Sequence, residues 1–211
     1  MIYLTSIDLP TLSGELDVYD WVVEDKLCNG FSSAKTWAAL RPRSDVVSWA
    51  KTVWFKGATP KHAFHMWVTN LDRLPTKTRL ASWGMQLQTT CGLCSLDIED
   101  RDHLFLTCEF ACFLWHTVSV RLELPAFSFV VWNDLMDWTL QRNRRSPPTL
   151  RKLIVQSVLY AIWKQRNNFL HNHETILPSV VFKTIDREIK NSITARRLNK
   201  RFRRLMTLWL H

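Results

Sequence analysis

Apolar residues recur at helical spacing through most of this chain, and the breaks between runs carry helix-capping residues. Ser32 or Ser33 caps a short helix ending at Leu40, and Asp45 caps a second that carries Val46, Trp49 and Val53. Thr59-Pro60 opens a third, with Pro60 at its first position and Phe64, Trp67, Val68 and Leu71 on one face. Leu74-Pro75-Thr76 ends it and starts a fourth, capped by Thr76, with Leu80 and Trp83 inward and Gly84 as the stop. Further runs span about Phe110 to Leu122 and the group Trp132, Leu135 and Trp138. Thr149 caps an amphipathic helix with Leu150, Leu153, Ile154, Val158, Ala161, Ile162 and Phe169 on its face. Leu177-Pro178-Ser179 starts a last helix carrying Phe182, Ile185, Ile189, Ile193, Leu198, Phe202, Leu205 and Trp209. Strand signals are confined to Tyr19–Val23 and Gly30–Ser32, which flank a Lys26-Leu27-Cys28-Asn29 turn and read as a hairpin. The pattern predicts a mainly α fold with a minor N-terminal β-hairpin, a small helical domain, and a C-terminal pair of long amphipathic helices. No repeat is visible.

The chain has 211 residues, enough for one domain with an appendage. Residues 1–17 show no period and are expected to be loosely ordered. Residues 18–124 form the small domain and 125–211 the helical extension with a basic last helix; Arg142 to Pro148 is the best linker. No run of about 18 apolar residues occurs, so no membrane span is expected. The start lacks a basic segment and meets Asp8 early, which argues against a secretory leader and for a reducing, intracellular compartment.

That compartment matters because of Cys91-Gly92-Leu93-Cys94, followed by His103 and Cys108. Three thiolates and an imidazole at C-x2-C-x8-H-x4-C spacing suit one structural Zn²⁺ with a closed tetrahedral shell. A closed shell has no open position for substrate, so the motif argues against catalysis. The competing readings are a redox CxxC pair, which lacks its strand-rich context here, a disulfide, and a chance cluster. Gly92 is expected to supply a positive φ in the turn. His103 and Cys108 lie about 140° apart on an ideal helix, so both can be ligands only if the helix starting near Asp102 breaks at about Thr107. Cys112 reads as a core thiol and Cys28, before Asn29-Gly30, as a bystander. With zinc on three thiolates the formal charge falls from +9 to about +8.

The excess of cations is concentrated at the C-terminus. Lys190, Arg196, Arg197, Lys200, Arg201, Arg203 and Arg204 are the candidate nucleic-acid contacts; a nuclear-import signal and a plain solvated face are the other readings. Among the eleven tryptophans, Trp49, Trp67 and Trp115 fall in phase with core positions, while Trp37, Trp54 and Trp83 are undecided between packing and base stacking. His62 and His65 near a helix start, and His171 and His173 beside Glu174, match no metal motif.

Taken in order, Gly30-Phe31-Ser32, Val53-Trp54, Pro60-Lys61, Trp67, Arg73-Leu74-Pro75-Thr76, Leu80, the CGLC run, His103-Leu104-Phe105, Cys108 and Trp115 resemble a known domain. It is the zinc-binding domain that follows the reverse transcriptase of plant LINE-type (non-LTR) retrotransposons. Ile162-Trp163-Lys164-Gln165-Arg166-Asn167 also resembles a segment that commonly follows it. The resemblance implies Cys91, Cys94, His103 and Cys108 as ligands of one structural zinc. Glu99-Asp100 stands where the family usually has Glu-Thr. No Tyr/Phe-x-Asp-Asp motif or adjacent Asp pair is present, so the polymerase activity does not carry over. The expectation is a non-catalytic, zinc-stabilised module that binds RNA or DNA through basic surface, with no membrane partner and with intracellular, including nuclear, localisation. The alternative is a structural or protein-interaction remnant that associates through exposed apolar helices.

Overall fold

A computed structural model describes residues 14, 19–43 and 45–210. The expectation for residues 1–17 falls, but for Gly14, outside the described residues. The chain forms two compact units, Met1–Val46 and Val47–His211.

In the first unit β1 (Trp21–Val23) pairs antiparallel with β2 (Lys26–Cys28), Val23 opposite Lys26. The hairpin is present, but its turn is Glu24-Asp25 rather than 26–29. Both turn residues have positive φ, 51° and 58°. That is the geometry that matches the twist of a two-residue hairpin, and Asp tolerates it. Ser32 caps α1 (Ser33–Leu40), its hydroxyl accepting from the Lys35 amide at 3.4 Å. Trp21 ties hairpin to helix by donating to Thr36 Oγ1 at 2.9 Å and meeting Phe31 edge-on at 4.6 Å.

The second unit is helical. It comprises α2 (Ala50–Val53), α3 (Pro60–Asn70), α4 (Lys77–Ser82), a π-helical turn (His103–Thr107), α5 (Glu109–Arg121), α6 (Trp132–Leu140), α7 (Pro148–Asn172), α8 (Pro178–Ala195) and α9 (Leu205–Leu210). The helix foreseen from Asp45 is only α2. Val46 is 80% exposed and the chain passes between units here, so Asp45 caps nothing. α3 starts at Pro60 as foreseen, but the buried face carries His62, Ala63, His65 and Met66, whereas Phe64 is exposed. α3 packs against α7, and the Tyr160 ring of α7 lies 4.7 Å from that of His62. Trp83 is exposed and Leu80 half-buried, which corrects their inward placement.

α7 is buried on more than one face and packs against α3, α6, α8 and the π turn. It starts at Pro148, so Thr149 lies inside it rather than capping it. The connection before it is pinned. Buried Arg151 donates to Ser146 Oγ at 2.9 Å, Trp138 O at 2.8 Å and Gln141 Oε1 at 3.1 Å, with its guanidinium over the Trp138 ring. One core runs from Val53 to Trp209, continuous across residues 124 and 125.

The last apolar run is two helices. α8 stops at Ala195, turns occupy Arg196–Arg204, and α9 folds back so that Trp209 donates to Asp186 Oδ1 at 2.9 Å. A continuous helix would carry Phe202, Leu205 and Trp209 away from the core; the turns let all three be buried. Leu198 is left 87% exposed, outside the stripe assigned to it. Phe202 docks over Gly57, where a Cβ would lie 2.5 Å from the Phe202 ring.

Candidate metal centre and basic surface

The four candidate ligands come from two short pieces of chain. The first is a knuckle. Cys91 N donates to Asp97 O at 2.7 Å and Glu99 N to Thr89 O at 2.7 Å, which clamps the ends of the Gly92–Leu96 loop. Ser95, not Gly92, has the positive φ, 58°. Gly92 is needed for closeness instead, since a Cβ there would lie 2.6 Å from Phe169 Cδ1 on α7.

The second piece is the π turn. Asp100 Oδ1 accepts from His103 N at 2.7 Å and so caps it. Cys108 N donates to His103 O at 2.7 Å, a five-residue step in place of the usual four. Cys108 itself is extended (φ −57°, ψ 136°) and begins α5. This is the break that the H-x4-C spacing demanded. It loosens carbonyls that need donors: Trp115 Nε1 donates to Phe105 O at 2.8 Å, and Cys112 Sγ lies 3.4 Å from Leu106 O. Cys112 is thus an exposed residue at the turn and not a core thiol.

The two pieces bring Cys91, Cys94, His103 and Cys108 together with their donor atoms all within 4.8 Å of one another. Cys91 Sγ and Cys108 Sγ are 3.9 Å apart, and Cys94 Sγ is 3.3 Å from His103 Nε2. A tetrahedral zinc with ordinary bond lengths has S···S edges of roughly 3.8 Å and S···N edges of roughly 3.6 Å, so the donor set fits the ion. Nε2 faces the other donors, while Nδ1 faces Thr107 Oγ1 at 3.3 Å and Asp97 Oδ2 at 3.8 Å. That outer pair suits an Nδ1–H and leaves Nε2 free to ligate. The Cys91 thiol is pulled down to about 5 by the hydrogen bond from Cys108, against burial and with help from the Cys94 and Leu93 amides. Cys108 is pushed up by that same bond and by burial.

The knuckle is anchored from behind. Glu99 is fully buried, and its Oε1 accepts from Arg166 Nε at 3.0 Å, Arg166 Nη2 at 2.7 Å and the Lys77 amide at 3.0 Å. One carboxylate therefore joins the metal loop, the start of α4 and α7.

Residues 31–115 match the family model described as zinc-binding in reverse transcriptase, a stretch that contains all four donors. Neither the curated proteins nor the solved structures contain a match to the chain. Residues 31–115 are thus similar to that zinc-binding family, and Cys91, Cys94, His103 and Cys108 form a site for one structural zinc. Among the described residues no helix is long and apolar enough to cross a membrane.

The basic residues divide. Lys190 is paired with Asp186 at 2.7 Å, and Arg196 is half-buried, donating to Ser192 O and Ala58 O. Arg197, Lys200, Arg201, Arg203 and Arg204 are exposed on the turns, and among the described residues none of them has a carboxylate within ion-pair distance. Packing adds two cations that sequence distance hid. Lys152 donates to Lys51 O at 2.8 Å, and the charges of Arg201 and Lys51, after burial, hold the Lys152 ammonium below its usual range. Nothing in the linear pattern marks Lys51 or Lys152, because they meet only where α2 packs on α7.

Proposed function

We propose that this chain is a non-catalytic module of a plant LINE-type retrotransposon polyprotein and that it binds RNA or DNA through a composite basic face. The observation that carries the reading is a run of exposed cations, Arg197, Lys200, Arg201, Arg203 and Arg204, on one stretch of turns with no carboxylate in ion-pair distance among the described residues, and with Arg201 close enough to Lys152 and Lys51 for their charges to be felt there. Unneutralised cations held close together favour a polyanion, whose condensed counterions they release. The zinc holds the fold and takes no part in chemistry, and a primer-extension assay should yield no product. The same basic turns serve for nuclear import.

The test is fluorescence anisotropy with labelled RNA and DNA over a salt series. Replacing Arg197, Arg201, Arg203 and Arg204 by Ala should weaken binding and flatten the log–log salt slope by about 3. Unchanged affinity in the variant would refute the basic face. Exposed Leu177, Leu198 and Leu210 favour a second reading, self-association as an interaction remnant. A monomer across the working concentration range would count against it.

A further inference from the structure

We propose that the cleft between α3 and α7 receives an unstacked base of single-stranded nucleic acid. This rests on the nucleic-acid reading above but on different residues. The cleft measures about 510 Å³, within the range of small-ligand sites. Phe64, His65, Tyr160 and Trp163 give it aromatic walls. Phe64 is 57% exposed, so its ring is open to a ligand entering the cleft. From the cleft, aromatic rings continue outward. Phe64 lies 5.6 Å from Trp67, which lies 6.4 Å from half-exposed Trp54. Successive ring faces of this kind are how single strands are held without a fixed sequence.

The second observation is His65. It is 6% exposed, lines the cleft, and neither ring nitrogen has a hydrogen-bond partner. Both nitrogens are closed off from solvent, so the ring serves the cleft as an aromatic wall. Its ring stands perpendicular to Tyr160, with centroids 5.6 Å apart. Burial, then the charge of His62, holds it down to about 4, so at neutral pH this wall is uncharged. Asn167 and Asn168 add amides at the wall. Lys164 is exposed at the rim, and Lys61 stands over the Tyr160 ring at 4.9 Å and 3.7 Å from Glu188. Cations at the mouth and ring faces inside select a base whose phosphate stays outside. A duplex has no free base face to offer.

The experiment compares fluorescein-labelled oligouridylate, oligoadenylate and a blunt RNA duplex on wild type, Phe64→Ala, Lys164→Glu and the four-arginine variant. Phe64→Ala alters an exposed side chain and leaves the core intact. It should lose about tenfold on single strands and nothing on duplex. Lys164→Glu should show the same single-strand bias. The four-arginine variant should lose on both. Wild type should also show tryptophan quenching by single strands, reduced in Trp163→Phe. Single-strand affinity unchanged in both Phe64→Ala and Lys164→Glu, while the arginine variant loses binding, would overturn the cleft and leave the basic face standing. No binding by wild type to any probe would overturn both.

Discussion

Arg166→Met is the substitution that most directly tests how the metal loop is held. The guanidinium of Arg166 makes two bonds to Glu99 Oε1, at 3.0 and 2.7 Å, and a third to Pro75 O at 3.1 Å. The side chains are only 4% and 0% exposed, so water cannot replace what is lost. Methionine keeps much of the stem but leaves a buried carboxylate whose Oε2 already has no partner. Removing one partner of a buried pair costs about 3–5 kcal/mol. In a chain of this size that is roughly a 10 °C fall in Tm. Because Glu99 also sets the path of the chain into Asp100 and His103, zinc affinity should drop by about 10- to 100-fold. The companion Glu99→Gln/Arg166→Met removes both charges and should recover much of the stability. Urea unfolding monitored by circular dichroism, with zinc affinity measured by chelator competition, reads both quantities. A loss below about 1 kcal/mol with zinc affinity unchanged would show that the pair does not anchor the loop.

Gly92→Ala places a methyl against Phe169 and should cost about 1–3 kcal/mol in the same unfolding assay; a neutral result would mean the knuckle can slide on α7. A chain ended after residue 124 lacks Arg166 and Phe169 and should bind zinc more weakly than the full chain by chelator competition, equal affinity being the refuting result. Burial holds His62 and His65 down to about 4, so the unfolded chain binds more protons between there and about 6.5. Their contribution is complete above about pH 6.5 and is lost as pH falls toward 4, at about 1.4 kcal/mol per pH unit for each histidine. His65→Gln should flatten the urea-midpoint profile, and a slope equal to wild type would exclude this origin. Removing zinc with a chelator should raise amide exchange over about residues 86–116 while α7 and α8 stay protected, because those helices also pack on each other and on α3, α6 and α9. Uniform protection after metal loss would contradict that.

The metal donors were legible because ligand chemistry fixes spacing, and H-x4-C alone demanded a break before Cys108. Helix starts were legible where proline or serine marks them, as at Ser32 and Pro60. Facing was less so. On α3 the apolar stripe of Phe64 and Trp67 looked inward, yet His62 and His65 are buried, since α7 offers them the Tyr160 ring. Periodicity also ran straight through Arg196–Arg204, because a helix that turns back can keep the same spacing of buried residues. The partners of Glu99 lie far from it in sequence, and a lone acid beside other acids reads as solvated loop. Lys51 and Lys152 were hidden for the same reason.

The π turn also makes this stretch intolerant of changes in length. Deleting one residue between His103 and Cys108 would restore the ordinary four-residue hydrogen-bond step and relieve a costly local geometry. It would also rotate Cys108 by about 100° and carry its sulfur away from Cys91. The surplus residue is therefore a spacer that no substitution elsewhere can stand in for. Changes of length should be tolerated in exposed stretches such as Arg142–Arg145, whereas any change between His103 and Cys108 should abolish metal binding.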